Sequence, residues 1–392
     1  MNTHRKFYLP RRQVLRGLLA TAAFASTAKL TACSSSTETS SGGDSGSSEK
    51  PLVLGFIYVG AKDDYGWNQA QALGAEGISK MPGVKIVEQA SVPETKEVQE
   101  VMRSMIEQDG ATAIFATSFG YFNPHVVEMA KQFPDIQFFH CSTLWQEGMP
   151  TNIGNYYVDI DDAQYVSGIV AAQTSKVGKL GYVAAKPVNP VLRSINSYML
   201  GAHSVKPDLK MQVIFTGDWN VPVKEAEATN SLADQGVDVI GMHVDSPKVI
   251  VETAEKRGVF SSGFHADQSP LAPKGYLTGT AYDWSNVFKT YVEMFKAGKK
   301  VMDGGIPRVV QGSFKEGYVK LSPFGPAVSE ATKKQADETI AKIKDGSLLV
   351  YTGEIKDNTG KVQIAKGASY KLDAPELDKV DWLANGVLGS VS

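Results

Sequence analysis

The sequence predicts an α/β chain made of two doubly wound parallel-sheet lobes. Three observations carry this. Strand-length apolar runs alternate with helix-length amphipathic runs from residue 51 onward. The alternation restarts near Asp161. The residues after nearly every strand run include an aromatic or a carboxylate. Such βαβ rhythm needs crossover helices, which cover both faces of a parallel sheet.

In the first lobe the runs place strands at 52–58, 84–87, 113–117 and 137–141, with helices at 67–80, 94–108 and 124–132. The second of these helices carries Val98, Val101, Met102, Met105 and Ile106 on one face, the spacing of an amphipathic helix. Tyr156 and Tyr157 lie in a strand that leaves this lobe, where they would serve as crossover packing. The second lobe follows with helices at 163–174, 190–200, 223–235 and 248–257, and strands at 179–184, 211–215, 237–241 and 259–265. Helices at 286–297 and 333–344 and short strands at 318–321 and 348–351 complete the chain.

The N-terminus has a different character. Arg5, Lys6, Arg11, Arg12 and Arg16 precede an apolar, small-residue stretch at 17–28, and the segment ends in Leu30-Thr31-Ala32-Cys33. A basic segment, a short apolar segment and a small-residue exit read as a secretory signal too short to be a membrane span. Leu-Thr-Ala-Cys resembles a bacterial lipobox, which implies lipidation at Cys33 and a mature chain held on the outer face of a membrane. Arg11-Arg12 followed by Val14-Leu15 resembles a twin-arginine signal, and the Sec route would give the same product. Residues 34–49 are largely Ser, Thr, Gly and acid with no large apolar side chain, so this stretch reads as a flexible tether.

Composition narrows the functional classes. With 40 basic and 42 acidic residues the net charge is −2, with no nucleic-acid footprint. Cys141 is the one cysteine besides Cys33, so no disulfide framework supports the fold. In the apolar run Phe138-Phe139-His140-Cys141 it reads as buried packing in preference to a nucleophile. His-x-x-x-His, Cys-x-x-Cys, Gly-x-Ser-x-Gly and P-loop spacings are all absent from the sequence, which argues against an enzyme and implies no cofactor or metal.

In open parallel sheets ligands bind beyond the carboxyl ends of the strands. The segments there contain Asp64, Trp67 and Asn68; Phe119 and Tyr121; Trp219; Asp245; and Asp267. A cleft lined by aromatics with Asp and Asn suits a flat, uncharged, hydrogen-bonding ring. Each residue also has an ordinary reading. Trp67 would pack, Asn68 would cap its helix, and Asp218 and Asp245 would serve turns or caps.

At Asp63-Asp64-Tyr65-Gly66-Trp67-Asn68-Gln69 the chain resembles the basic membrane protein (Bmp) family of lipoproteins. Gly217-Asp218-Trp219, Gln235-Gly236-Val237-Asp238-Val239-Ile240 and Ala266-Asp267-Gln268 resemble further segments of that family. The resemblance implies a type I periplasmic-binding-protein clamshell with a three-strand hinge. It places 51–157 plus 284–306 in the first lobe and 158–283 plus 307–392 in the second. It implies a monomeric substrate-binding lipoprotein of an ABC importer, with a permease and an ATPase as partners and a purine as ligand. Trp67 and Trp219 would stack on the base, Asn68 would reach the ring edge, and Asp245 and Asp267 would lie at the polar end. The family's Lys after a Leu-Thr-Ser strand is absent here, where Leu277-Thr278-Gly279-Thr280 runs into Ala281-Tyr282-Asp283-Trp284. That departure favours a nucleobase such as adenine over a nucleoside, with Trp284 narrowing the pocket. A sensing lipoprotein, or import of another small heterocycle or amide, are the alternatives.

Overall fold

A computed structural model describes residues 50–391; the signal, the tether and Cys33 lie outside the described residues. The chain runs β1 (Leu52–Ile57), α1 (Trp67–Ser79), β2 (Val84–Gln89), α2 (Lys96–Glu107), β3 (Ala113–Ala116), α3 (Val127–Gln132), β4 (Gln137–Cys141) and β5 (Ile153–Val158). It continues through α4 (Asp161–Thr174), β6 (Lys179–Ala184), α5 (Asn189–Val205), β7 (Lys210–Phe215), α6 (Pro222–Asp234), β8 (Val239–His243), α7 (Lys248–Arg257), β9 (Phe260–His265) and β10 (Tyr276–Tyr282). Last come α8 (Trp284–Lys296), β11 (Val309–Gly312), β12 (Val319–Leu321), α9 (Glu330–Lys344), β13 (Tyr351–Lys356), β14 (Val362–Tyr370) and β15 (Val387–Leu388).

Two large sheets result. The first has the order β11-β5-β4-β3-β1-β2 with every pair parallel. The second has the order β12-β10-β9-β8-β6-β7-β15, parallel except for the antiparallel edge strand β12. Parallel strands buried on both faces read as continuous apolar runs, and β1 and β3 are almost wholly buried. Local chemistry sets several helix starts. Thr95 caps α2 by accepting from the Glu97 N–H, and Ser329 caps α9 by accepting from the Thr332 N–H. Pro190 and Pro222 stand in the first turns of α5 and α6, where a missing N–H costs nothing.

The chain passes between the sheets three times: from β5 to α4, from β10 to α8, and from β11 to β12. The sequence reading puts the last change near Ile306. β11 pairs with β5 in the first sheet, so the change follows Gly312 instead. β11 is a short edge strand with no long apolar run, which hides it from periodicity. The first sheet's core is aromatic. Phe56 stacks on Phe115 at 4.7 Å, and Phe288 and Tyr291 of α8 pack on Phe115 at 5.1 and 5.4 Å. A smaller apolar cluster on the opposite face takes Val98, Met102 and Met105 of α2 with Tyr121 and Phe122.

The hinge carries a buried ionic knot. Arg193 of α5 donates from Nε and Nη2 to the two oxygens of Asp161, each at 3.0 Å. Asp159 accepts from Gln311 of β11 at 2.8 Å, and Asp162 accepts from Ser313 at 2.9 Å, so the first and third connections are tied to one another. Burial foremost, with Asp161 nearby, pushes both Asp159 and Asp162 up to about 7.

Candidate functional site

The seam between the lobes is built around the turn leading into α1. Asp64 Oδ1 accepts from the N–H groups of Gly66 and Gln69 at 2.8 and 3.0 Å, and Oδ2 accepts from the N–H and side-chain Nδ2 of Asn68 at 3.2 and 2.8 Å. A carboxylate placed there satisfies the free N–H groups at the positive end of the helix. Asn68 is buried, and its Oδ1 accepts from the Gly60 N–H at 3.0 Å. Asp64 and Asn68 therefore hold the turn. For Asn68 this holding role stands beside the expected place at the ligand's edge, with both ends of its amide bonded within the first lobe.

This turn presents Trp67 to the other lobe. The Trp67 backbone N–H donates to the Asp245 carbonyl at 2.9 Å, and its indole N–H donates to the Thr117 carbonyl at 3.2 Å. Its ring meets His265 at 5.4 Å and Tyr282 and Trp284 at 5.7 Å each, all edge-on. Tyr282 stacks on Trp284 at 4.7 Å and on His265 at 5.5 Å. Thus β9, the hinge strand β10, the start of α8 and the start of α1 contribute to one aromatic box.

Trp67, Asp245 and Trp284 are brought together; the other expected residues are distributed around them. Trp219 is half-buried, its carbonyl accepts from the Asp245 N–H at 2.8 Å, and its ring lies 6.3 Å from His243. Asp267 accepts from the Ser269 N–H at 2.9 Å in a local turn. Tyr121 points away from the seam: it is wholly buried in the first lobe's core, and its hydroxyl donates to the Val92 carbonyl at 2.5 Å. Phe119, two residues earlier, is 62% exposed.

The histidines of the box are held neutral. His265 Nε2 donates to the Val244 carbonyl at 2.9 Å, which leaves Nδ1 as an acceptor, and burial holds the ring neutral, well below its ordinary range. Burial also lowers His243 to about 3. Asp245 is pushed up to about 8, by desolvation first and then by Asp64, Glu94, Glu225 and Asp218. Burial keeps the Cys141 thiol protonated. No group of three His, Cys, Asp or Glu suited to a metal ion occurs among the described residues.

Among the described residues, three buried polar atoms of the box lack a hydrogen-bond partner, Trp284 Nε1, His243 Nδ1 and His265 Nδ1, and Gln71 Nε2 beside it has none but the buried Cys141 thiol. Buried polar atoms are ordinarily paired, so those at this seam call for a cause. Gln71 connects to the box through Tyr156, whose hydroxyl donates to its Oε1 at 3.4 Å and whose ring lies 5.4 Å from Trp284. Gln71, His243, His265, Tyr282 and Gln268 are absent from the residues that sequence reasoning selects for the site. The signal for Gln71 is its position four residues after Trp67, which puts both on one helix face.

Two α/β lobes joined by three connections, with aromatics and neutral polar groups facing across the seam, define a substrate-binding protein. The family model described as ABC transporter substrate-binding protein PnrA-like, Bmp, matches residues 52–352, and the chain belongs to that family. The family and the relatives described next are substrate-binding proteins, not enzymes. A purine-binding protein of Brucella abortus (strain 2308) is 37% identical over 330 residues, covering 83% of this chain and 90% of its own length. A protein of Haloferax volcanii, provisionally named an ABC transporter glucose-binding protein, is 30% identical over 319 residues, covering 81% of this chain and 78% of its own. A solved ABC-transporter solute-binding protein from Conexibacter woesei superposes with a TM-score of 0.63 at 20% identity, over 76% of this chain and 97% of its own, which shows the fold. Among the described residues no helix is long and apolar enough to cross a membrane.

Proposed function

We propose that this chain is the extracytoplasmic substrate-binding lipoprotein of an ABC importer, and that it takes a purine between its lobes, the free base in preference to the nucleoside. The observation that carries the reading is the aromatic box with its unpartnered polar atoms. Trp284 Nε1 and, beside the box, Gln71 Nε2 are donors, and His265 Nδ1 is an acceptor. An adenine ring offers acceptors at its ring nitrogens and donors at its amino group and N9–H, on a flat face that aromatic side chains cover. The Brucella relative supports the same ligand class.

Trp67 and Trp284 are proposed as the principal aromatic contacts, with Trp219 and Asp245 at the second lobe's side. The preference for the base rests on the chain after Thr280, where Ala281, Tyr282 and Asp283 stand and no Lys does. Lys320, aligned with Ala281 on the neighbouring strand, is engaged by Asp283 at 2.8 Å. A fitting ligand contacts both lobes and stabilises the closed form, which is then offered to a permease. Export and anchoring through Cys33 complete the proposal; membrane fractionation of the protein and its Cys33→Ser variant tests that part. Calorimetric titration with adenine and adenosine tests the ligand: tight binding of the base and at least about tenfold weaker binding of the nucleoside, a difference of about 1.4 kcal/mol, is the expected result.

A further inference from the structure

The first lobe's α1 turn is gripped by two loops of the second lobe. Gln268 is wholly buried. Its Nε2 donates to the Tyr65 carbonyl across the seam at 2.6 Å and to the Phe264 carbonyl of its own lobe at 2.5 Å, while Oε1 accepts from the Phe264 N–H at 3.1 Å. Tyr65 has a left-handed backbone, φ +54°, and its N–H donates to Gln69 Oε1 at 2.8 Å. A non-glycine residue in that conformation is uncommon and is held by its surroundings. Here Asp64 and Gln69 fix the turn, which directs the Tyr65 carbonyl at Gln268 of the other lobe.

The adjoining residue has a matching constraint. A Cβ on Gly66 would lie 2.1 Å from the Asp245 carbonyl oxygen and 2.9 Å from Pro247 Cδ. The first of these is backbone, so no rotamer change relieves it. Only glycine permits this approach, and the approach is what lets the Trp67 N–H reach the Asp245 carbonyl at 2.9 Å.

We propose that Gly66 and Gln268 form an interlobe latch, positioning residues that hold the lobes closed and so set how long the ligand stays. The proposal rests on the clamshell reading above. Neither residue needs to touch the ligand. The latch acts on the open–closed equilibrium, and a ligand that binds a partly populated closed state loses affinity by that fraction. Loss of a closing contact appears in the dissociation rate, where most affinity changes within one interface are found.

The test uses the full chain with Gly66→Ala and Gln268→Met. Adenine association and dissociation are followed by stopped flow, and hydrogen exchange is followed at the Trp67 amide. The latch predicts that each variant raises the adenine dissociation rate by about tenfold or more, with association changed by less than about threefold. It also predicts faster exchange at the Trp67 amide while the amides of β1 and β8 keep their protection. Unchanged dissociation and unchanged Trp67 exchange in Gly66→Ala overturn it. Should Gln268→Met fail to fold, through its lost bonds to Phe264, Gly66→Ala decides alone, because it removes no hydrogen bond within the second lobe. Should the wild-type protein not bind adenine, the purine reading fails, and exchange at the Trp67 amide still decides the latch: faster exchange in Gly66→Ala supports it, and equal exchange overturns it.

Discussion

Trp67 and Asp245 join the two lobes through main chain: the Trp67 N–H donates to the Asp245 carbonyl at 2.9 Å, while the Asp245 N–H donates to the Trp219 carbonyl at 2.8 Å. Trp67 and Trp219 are thus linked through one residue, and the ring of the first packs on His265, Tyr282 and Trp284. Trp67→Ala is expected to weaken purine binding by more than about 1 kcal/mol. Trp67→Phe is expected to recover part of that. Calorimetric titration checks both, and an unchanged affinity in the alanine variant removes Trp67 from the site.

Asp64 has a different task. Its four accepted hydrogen bonds close the start of α1. Asp64→Ala is expected to cost about 1–2 kcal/mol in urea unfolding, the range of a lost helix cap. Asp64→Asn keeps one acceptor oxygen and is expected to cost less. Equal stability of all three proteins would mean that the turn holds itself.

Tyr121 separates packing from recognition. The sequence reading places it in the cleft, yet it lies in the first lobe's core with its hydroxyl on the Val92 carbonyl. Tyr121→Phe is expected to lower stability by about 1 kcal/mol, the net value of one hydrogen bond, and to leave ligand affinity unchanged. Denaturant titration and calorimetry on the same variant distinguish the two effects.

Much of the fold is legible in the sequence. The strand at Gln137–Cys141, the strand at Lys179–Ala184 and the helix at Lys248–Arg257 have the bounds that their apolar patterns indicate. β11, β15 and β14 escape that reading, and the strand expected at 348–351 meets β13 only at Tyr351. β11 and β15 are edge strands of a few residues. β14 is largely exposed, so no alternation of apolar and polar residues marks it. At the site, the rule that ligands lie past strand ends selects loops that do meet at the seam. It does not say which side chain of a loop turns inward, and in the Phe119-Gly120-Tyr121 turn Tyr121 is the buried one. Gln268 stands in the Ala266-Asp267-Gln268 segment that resembles the family, but its bond across the seam leaves no signal, because the partner is a main-chain carbonyl whose direction depends on the left-handed backbone at Tyr65.

The hinge carboxylates predict a pH dependence. Asp159 and Asp162 ionise near 7 in the folded chain against an ordinary value of 3.8. The folded chain therefore holds protons that the unfolded chain has already released. Their contribution to stability is complete below the ordinary value and is lost as pH rises through about 7. Asp162→Asn keeps an oxygen to accept from Ser313 and removes one of the two ionisations. Its denaturation midpoint is expected to fall less than that of the wild type between about pH 4.5 and about pH 8. Parallel curves would mean that Asp162 ionises at its ordinary value in the fold.

The most direct measurement is the heat-denaturation midpoint of the full chain against adenine, adenosine, guanosine and glucose. A ligand that binds only the folded state raises the midpoint by mass action, about 2.7 kcal/mol of stabilisation at a hundredfold excess over Kd. The account predicts a clear rise with adenine and a smaller one or none with the nucleosides. A rise with glucose and none with any purine would contradict it and place the chain's ligand with the one named in the Haloferax relative.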